Sequence, residues 1–136
     1  MEKIIEVSNL VKNYGEIRAV NDISFYVEKG KLFSFLGPNG AGKSTTINIL
    51  CTLLDFDGGE CTIDGFDLRR ESQSIRQLTG IVFQDHVLDD LLTVRENLTV
   101  RAGLYTPDRG KIKAAVDEAI ALTELDEIVN RRYGKL

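Results

Sequence analysis

Apolar and polar positions change their period along this chain, and the changes mark its elements. Residues 3–11 predict a strand, with Ile4, Val7 and Leu10 apolar. Asn13-Tyr14-Gly15-Glu16 predicts a turn, and residues 17–27 a second strand. Its later part alternates, with Ile23, Phe25 and Val27 on one side and Ser24, Tyr26 and Glu28 on the other, which predicts a half-buried antiparallel strand. Residues 32–36 are apolar almost throughout. That predicts a central parallel strand covered on both faces. A helical period follows, placing Ile47, Leu50, Cys51 and Leu54 on one face. Asp57-Gly58-Gly59 breaks the chain, residues 60–64 predict a short strand, and Gly65 to Leu68 a turn. Residues 72–78 predict a short helix, and residues 80–84 a buried strand ending in a polar residue.

Beyond that point the pattern becomes helical. Thr93-Val94-Arg95-Glu96 is a capping box, opening a helix whose inner face carries Val94, Leu98, Ala102 and Tyr105. Thr106-Pro107 ends it and starts another, with proline at the first helical position. Ile112, Ala115, Val116, Ala119 and Ile120 form the stripe of that helix. Residues 125–136 give no clear period.

The chemistry of the chain centres on Gly37-Pro38-Asn39-Gly40-Ala41-Gly42-Lys43-Ser44-Thr45, which satisfies the phosphate-loop pattern G-x-x-x-x-G-K-[S/T] between an apolar run and a helix. Phosphate oxygens are held best by converging backbone N–H groups. Gly37, Gly40 and Gly42 remove the side chains that would keep the backbone away. The following helix points its positive end at the anion. Lys43 is placed to reach the β- and γ-phosphates, Ser44 to put its hydroxyl on Mg²⁺, and Thr45 to add a phosphate hydrogen bond. The plainer reading is a glycine turn capping a helix; the pattern, the strand predicted before it and the helix after it together favour nucleotide binding.

Composition narrows the partners. A net charge of −4 disfavours a general electrostatic grip on DNA or RNA. Arg69-Arg70 and Arg131-Arg132 are too short to alter that and read as solvated surface. No apolar run approaches membrane-spanning length, and the first residues lack the core of a signal peptide. The two cysteines, Cys51 and Cys61, have no metal-ligand spacing, and Cys51 is expected to be buried and reduced. His86 reads as plain surface rather than ligand or base.

The ordered motifs resemble the N-terminal part of an ABC transporter ATPase subunit, most of all the subfamily of ABC-2-type exporters that includes daunorubicin-resistance-like ATP-binding proteins. Tyr14-Gly15 and Ala19 to Phe25 are similar to the adenine-loop region and the strand after it. Gly37 to Thr45 is the family's phosphate loop. Gly80-Ile81-Val82-Phe83-Gln84 resembles the strand that ends in the Q-loop glutamine, and Val87 to Leu98 the segment after it. The resemblance implies an α/β fold of the P-loop ABC type, with antiparallel strands, an incomplete parallel sheet and part of a helical subdomain. It divides the chain into an ATP-binding core over residues 1–84 and a Q-loop and helical segment over residues 85–136. It implies ATP and Mg²⁺ as cofactors, with Tyr14 stacking on adenine and Gln84 reaching the metal and the attacking water. Lys43 and Gln84 are then the residues of the hydrolytic step, and Ser44 and Gln84 the metal's protein contacts.

The resemblance also implies a transmembrane permease partner, contacted by the segment from Asp85 to Arg95, a dimer of ATPase subunits, and a place at the cytoplasmic face of the membrane. No stretch matches the signature motif L-S-G-G-Q or a Walker B strand ending in aspartate and glutamate; Leu125-Asp126-Glu127 has the acids without the strand. The chain is therefore expected to be an N-terminal fragment that stops just before the signature motif. Such a fragment is expected to bind nucleotide weakly, to hydrolyse it negligibly and to self-associate through an open sheet edge. Three alternatives stand behind this reading: a kinase or GTPase with the same loop, which the placement of Tyr14 and Gln84 argues against; a soluble ABC ATPase, which the short spacing from the phosphate loop to Gln84 fits less well; and a non-catalytic nucleotide-binding or interaction module.

Overall fold

The structure is a computed structural model that describes residues 2–83 and 87–136. The chain divides into two compact units, Met1–Val82 and Phe83–Leu136.

The first unit is built on a hairpin of two long strands, β1 (Lys3–Tyr14) and β2 (Ile17–Glu28). Gly15 and Glu16 turn between them, and Tyr14 faces Ile17 across the turn. Two further strands, β3 (Gly58–Ile63) and β4 (Phe66–Asp67), complete a four-stranded antiparallel sheet of order β2-β1-β3-β4. The sheet is not regular. β1 bulges at Asn9, whose φ of 50° suits asparagine. The Asn9 side-chain amide donates to Asp22 Oδ1 at 2.8 Å, and its backbone N–H to Ser24 Oγ at 2.8 Å. Gly59 lies against this bulge, where a β-carbon would overlap the carbonyls of Ser8 and Asn9.

Helices α1 (Lys43–Leu50) and α2 (Ser72–Leu78) supply the other half of the core. Val7 and Leu10 of β1, Val20 of β2, and Cys61 and Ile63 of β3 meet Ile49 of α1 and Ile75 of α2. The buried face of α1 differs from the expected one. Thr46 and Ile49 are buried, Leu50 and Leu54 pack against the core, and Ile47 is 46% exposed. Thr46 can be buried because its hydroxyl donates to the Gly42 carbonyl at 2.9 Å, leaving its methyl to the core. Cys61 rather than Cys51 is the buried thiol, and burial pushes it up to about 11, which makes it inert.

The expected central strands are absent among the described residues. Residues 32–36 and 80–83 lie outside any strand, and Leu32, Leu36 and Val82 are almost fully exposed. A strand needs a neighbour to take its ladder of hydrogen bonds, and no described segment pairs with either. The segment 32–36 still alternates its side chains. Phe33 stacks on Phe25 of β2 at 5.3 Å between centroids, and Phe35 meets the same ring edge-on at 5.2 Å. Aromatic contact thus holds what sheet hydrogen bonds do not.

The second unit packs α3 (Val94–Gly103) against α4 (Arg109–Thr123). Val116, Ile120 and Val129 form its core, joined by Leu98, Ala102, Ile112 and Leu125. The capping box is present: Thr93 Oγ1 accepts from Glu96 N–H, and the Glu96 carboxylate accepts from Thr93 N–H at 2.7 Å. Asn97, 6% exposed, accepts from the Asp89 N–H at 2.8 Å and donates to the Asp89 carbonyl at 2.9 Å, fixing the approach to α3. Residues 125–136, without a clear pattern in sequence, fold as turns and a short 3-10 helix. They return to the start of α3, where Val94 and Arg95 donate to the Arg131 and Val129 carbonyls. Three helix details differ from the expected ones. Asp108, not the proline, starts α4: its carboxylate accepts from the Gly110 and Lys111 N–H groups, so Pro107 lies outside the helix. Tyr105 follows the end of α3 and is 83% exposed, and Ala115 is exposed.

Two predictions follow from these contacts. Ile49 is fully buried, so Ile49→Ala should cost about 2–5 kcal/mol by urea denaturation; a loss below about 1 kcal/mol would show that α1 is not anchored there. The backbone N–H and hydroxyl of Thr93 hold the Glu96 carboxyl below its ordinary value near 4.5. A depressed carboxyl stabilises the folded form above the unfolded value, and that support fades as pH falls through the folded one. NMR titration should find the Glu96 midpoint below 4.5 and move it upward in Thr93→Ala, whereas the same midpoint in both proteins would contradict the box.

Candidate phosphate-binding site

The loop between residues 36 and 43 reaches α1 through two left-handed glycines, Gly40 (φ 85°) and Gly42 (φ 78°). Ala41 N–H donates to the Pro38 carbonyl at 3.3 Å, closing a turn within it. Gly42 is the fixed point. A β-carbon there would overlap the carbonyl of Ala19 on β2, so only glycine lets the loop rest on the hairpin this closely.

Gly42 also ends the loop as the N-cap of α1, and it supplies no side-chain cap. The first turn carries no acidic residue. The N–H groups of Lys43, Ser44 and Thr45 belong to the first turn, where an α-helix offers no internal acceptor. This end of α1 therefore carries partial positive charge with nothing of its own to neutralise it. In front of it lies a cavity of about 430 Å³. Ile17, Arg18 and Ala19 of β2 line one side; Asn39, Gly40, Gly42, Lys43, Ser44 and Thr45 line the other. Backbone donors, a lysine, a hydroxyl pair and open volume together fit a polyphosphate.

Lys43 Nζ does not point free into the cavity. It donates to the carbonyls of Gly37 and Pro38, each at 2.6 Å. An incoming anion competes with two neutral carbonyls for this ammonium, and a charged acceptor makes the stronger bond. Tyr14 ends β1 half-exposed, with Lys12 Nζ 5.6 Å from its ring centroid. It is near the cavity in register, since its cross-strand partner Ile17 is a lining residue, but it does not itself line it. Gly37, Pro38 and Ala41 belong to the loop but do not line the cavity. Gln84, Asp85 and His86 lie outside the described residues. Among the described residues no group of three or more histidine, cysteine, aspartate or glutamate side chains could hold a metal ion. Among the described residues at this site, the Ser44 hydroxyl is the side-chain oxygen that the loop's pattern offers a divalent ion, beside phosphate oxygens and water.

The β2 wall was not apparent from the sequence. Its signal is the short turn at Gly15, which brings Ile17 opposite Tyr14 and carries Arg18 and Ala19 alongside the loop. A second cavity of about 410 Å³, lined among others by Phe56, Arg69 and Arg76, shares no residue with the first.

Comparison with known proteins identifies the family of the chain. Residues 20–136 match the ABC transporter family. The chain is 40% identical over 124 residues to the linearmycin resistance ATP-binding protein LnrL of Bacillus subtilis (strain 168), covering 89% of this chain and 40% of that protein. It is 33% identical over 131 residues to the daunorubicin resistance ATP-binding protein DrrA2 of Streptomyces coeruleorubidus, covering 96% and 41%. It is 37% identical over 132 residues to the sulfate/thiosulfate import ATP-binding protein CysA of Synechococcus elongatus, covering 97% and 38%. Among solved structures it superposes on the ADP conformation of MJ1267, an ATP-binding cassette of an ABC transporter, with a TM-score of 0.78 and 28% identity, covering 100% of this chain and 59% of that one. The chain thus spans about two-fifths of the length of these curated relatives. A glycine loop at a helix start is shared by many phosphate-binding proteins, but the match across most of the sequence is not, and the chain belongs to the ABC transporter family as an ATP-binding domain sequence.

Proposed function

We propose that this chain is the nucleotide-holding part of the ATP-binding subunit of an ABC-type exporter. The observation that carries the reading is the uncapped start of α1, fixed by Gly42 against Ala19 and open to a cavity of nucleotide-phosphate size. In this reading the N–H groups of residues 42–45 surround the phosphate chain of ATP. Lys43 leaves the Gly37 and Pro38 carbonyls for the β- and γ-phosphates, Ser44 contacts Mg²⁺, Thr45 adds a hydrogen bond, and Tyr14 stacks on the adenine. Gln84 is proposed to contact the metal and the attacking water. Bound Mg²⁺ would neutralise charge on the phosphate oxygens.

The export direction draws support from LnrL and DrrA2, both named for resistance. CysA, named for import, is of similar identity, so overall identity does not carry the direction. Among the described residues no helix is long and apolar enough to cross a membrane. Membership of the ABC transporter family supports a permease partner for the membrane step, with this subunit working as an ATPase dimer at the cytoplasmic face.

Binding without turnover is proposed for these 136 residues taken alone. The acid pair Asp126-Glu127 lies in a turn rather than at the end of a buried strand, so it lacks the setting of a Walker B general base.

Titration with a fluorescent ATP analogue in Mg²⁺ should show one site per chain. Lys43→Ala should weaken it roughly 10- to 100-fold, the effect of losing hydrogen bonds from a charged donor. Equal affinity in both proteins would remove Lys43 from the site, and phosphate release above the buffer rate would overturn the proposal of binding without turnover.

A further inference from the structure

We propose that Arg18 is a second cationic ligand of this site and acts on the α-phosphate end of the nucleotide; the inference rests on the nucleotide reading above. Three positions on the hairpin fix its place. Tyr14, the proposed adenine platform, faces Ile17 across the turn. Two residues along β2, the Ala19 carbonyl touches Gly42 at the phosphate loop. Arg18 lies between them, opposite Asn13, and lines the cavity from the side facing Lys43's helix. A strand advances about 3.4 Å per residue, so Arg18 stands one step from the base platform and one step from the phosphate cradle. The part of a nucleotide that joins base to β-phosphate, ribose and α-phosphate, must pass this position.

The side chain is suited to that task. Its guanidinium has a planar fork of five N–H donors that matches phosphate oxygens. One Nη donates to Asn21 Oδ1 at 3.0 Å, three residues along the same strand. That bond is exposed and involves a neutral acceptor, so a phosphate can compete for the group or share it. Lys43 and Arg18 then divide the work. Lys43 starts from the loop's own carbonyls and reads the outer phosphates; Arg18 starts from β2 and reads the inner one. Because Arg18 is exposed, its effect is modest and screened by salt.

Competition against a fluorescent ATP analogue tests this with ATP, ADP, AMP and adenosine on the wild-type chain, Arg18→Gln, Arg18→Lys and Lys43→Ala. Arg18→Gln should weaken ATP, ADP and AMP by a similar factor, roughly three- to tenfold, and leave adenosine unchanged. Arg18→Lys should recover part of the loss. The salt dependence of ATP binding should also become shallower in Arg18→Gln. Circular dichroism and the urea midpoint should match the wild type. An unchanged ATP affinity in Arg18→Gln, with Lys43→Ala impaired, overturns this inference alone. An equal loss for adenosine overturns it too, since a group acting on phosphate cannot weaken a ligand without one. Absence of ATP binding to the wild-type chain overturns both this inference and the nucleotide reading.

Discussion

The backbone of Gly42 lies against the carbonyl of Ala19 so closely that no β-carbon fits between them. That contact decides where the phosphate loop can be. It ties the N-cap of a helix to the early part of a hairpin strand. The hairpin is held in turn by β1, which pairs on one side with β2 and on the other with β3. Further along α1, Thr46 and Ile49 are buried. The helix is thus fixed at its start by a backbone contact and along its length by apolar packing. Its uncapped N–H groups are therefore presented in one direction, which is the preorganisation an anion site requires.

The second unit is held by different means. Its apolar core is small, and polar groups do much of the ordering around α3. Thr93 and Glu96 close the helix start, while Asn97 is buried with its amide engaged by Asp89. The backbone of residues 129–131 then satisfies N–H groups of the first turn that a helix leaves unpaired. Residues 87–93, within the segment from Asp85 to Arg95 that the family resemblance associates with a membrane partner, are consequently defined by hydrogen bonds rather than by burial. Loops built in this way keep a shape at a surface without needing a core of their own.

What was legible in the sequence was local. The glycine loop ahead of α1, the hairpin turn at Gly15, the capping box at Thr93 and the helix over Ser72–Leu78 each follow from neighbouring residues, and each is found in the structure. What was not legible depended on distant partners. Residues 32–36 and 80–83 carry the composition of buried strands, but composition cannot supply a ladder, and neither segment is paired. Thr46 was passed over because a hydroxyl reads as polar until its backbone acceptor is known. Pro107 attracted the helix start because proline suits the first turn, although the adjacent Asp108 could cap and did. Arg18 was missed because the cavity wall it lines is formed by register across a turn, which a linear reading does not show.

The central claim, that the start of α1 seated on β2 is where a nucleotide's phosphates are held, is tested most directly by amide chemical shifts. Proton–nitrogen correlation spectra of the labelled chain, recorded while Mg²⁺ and ATP are added, report each backbone N–H separately. The account predicts that the largest shifts fall on Gly42, Lys43, Ser44 and Thr45, with smaller ones on Arg18 and Ala19 across the cavity. Shifts concentrated instead around Phe56, Arg69 and Arg76, in the second cavity, would contradict it.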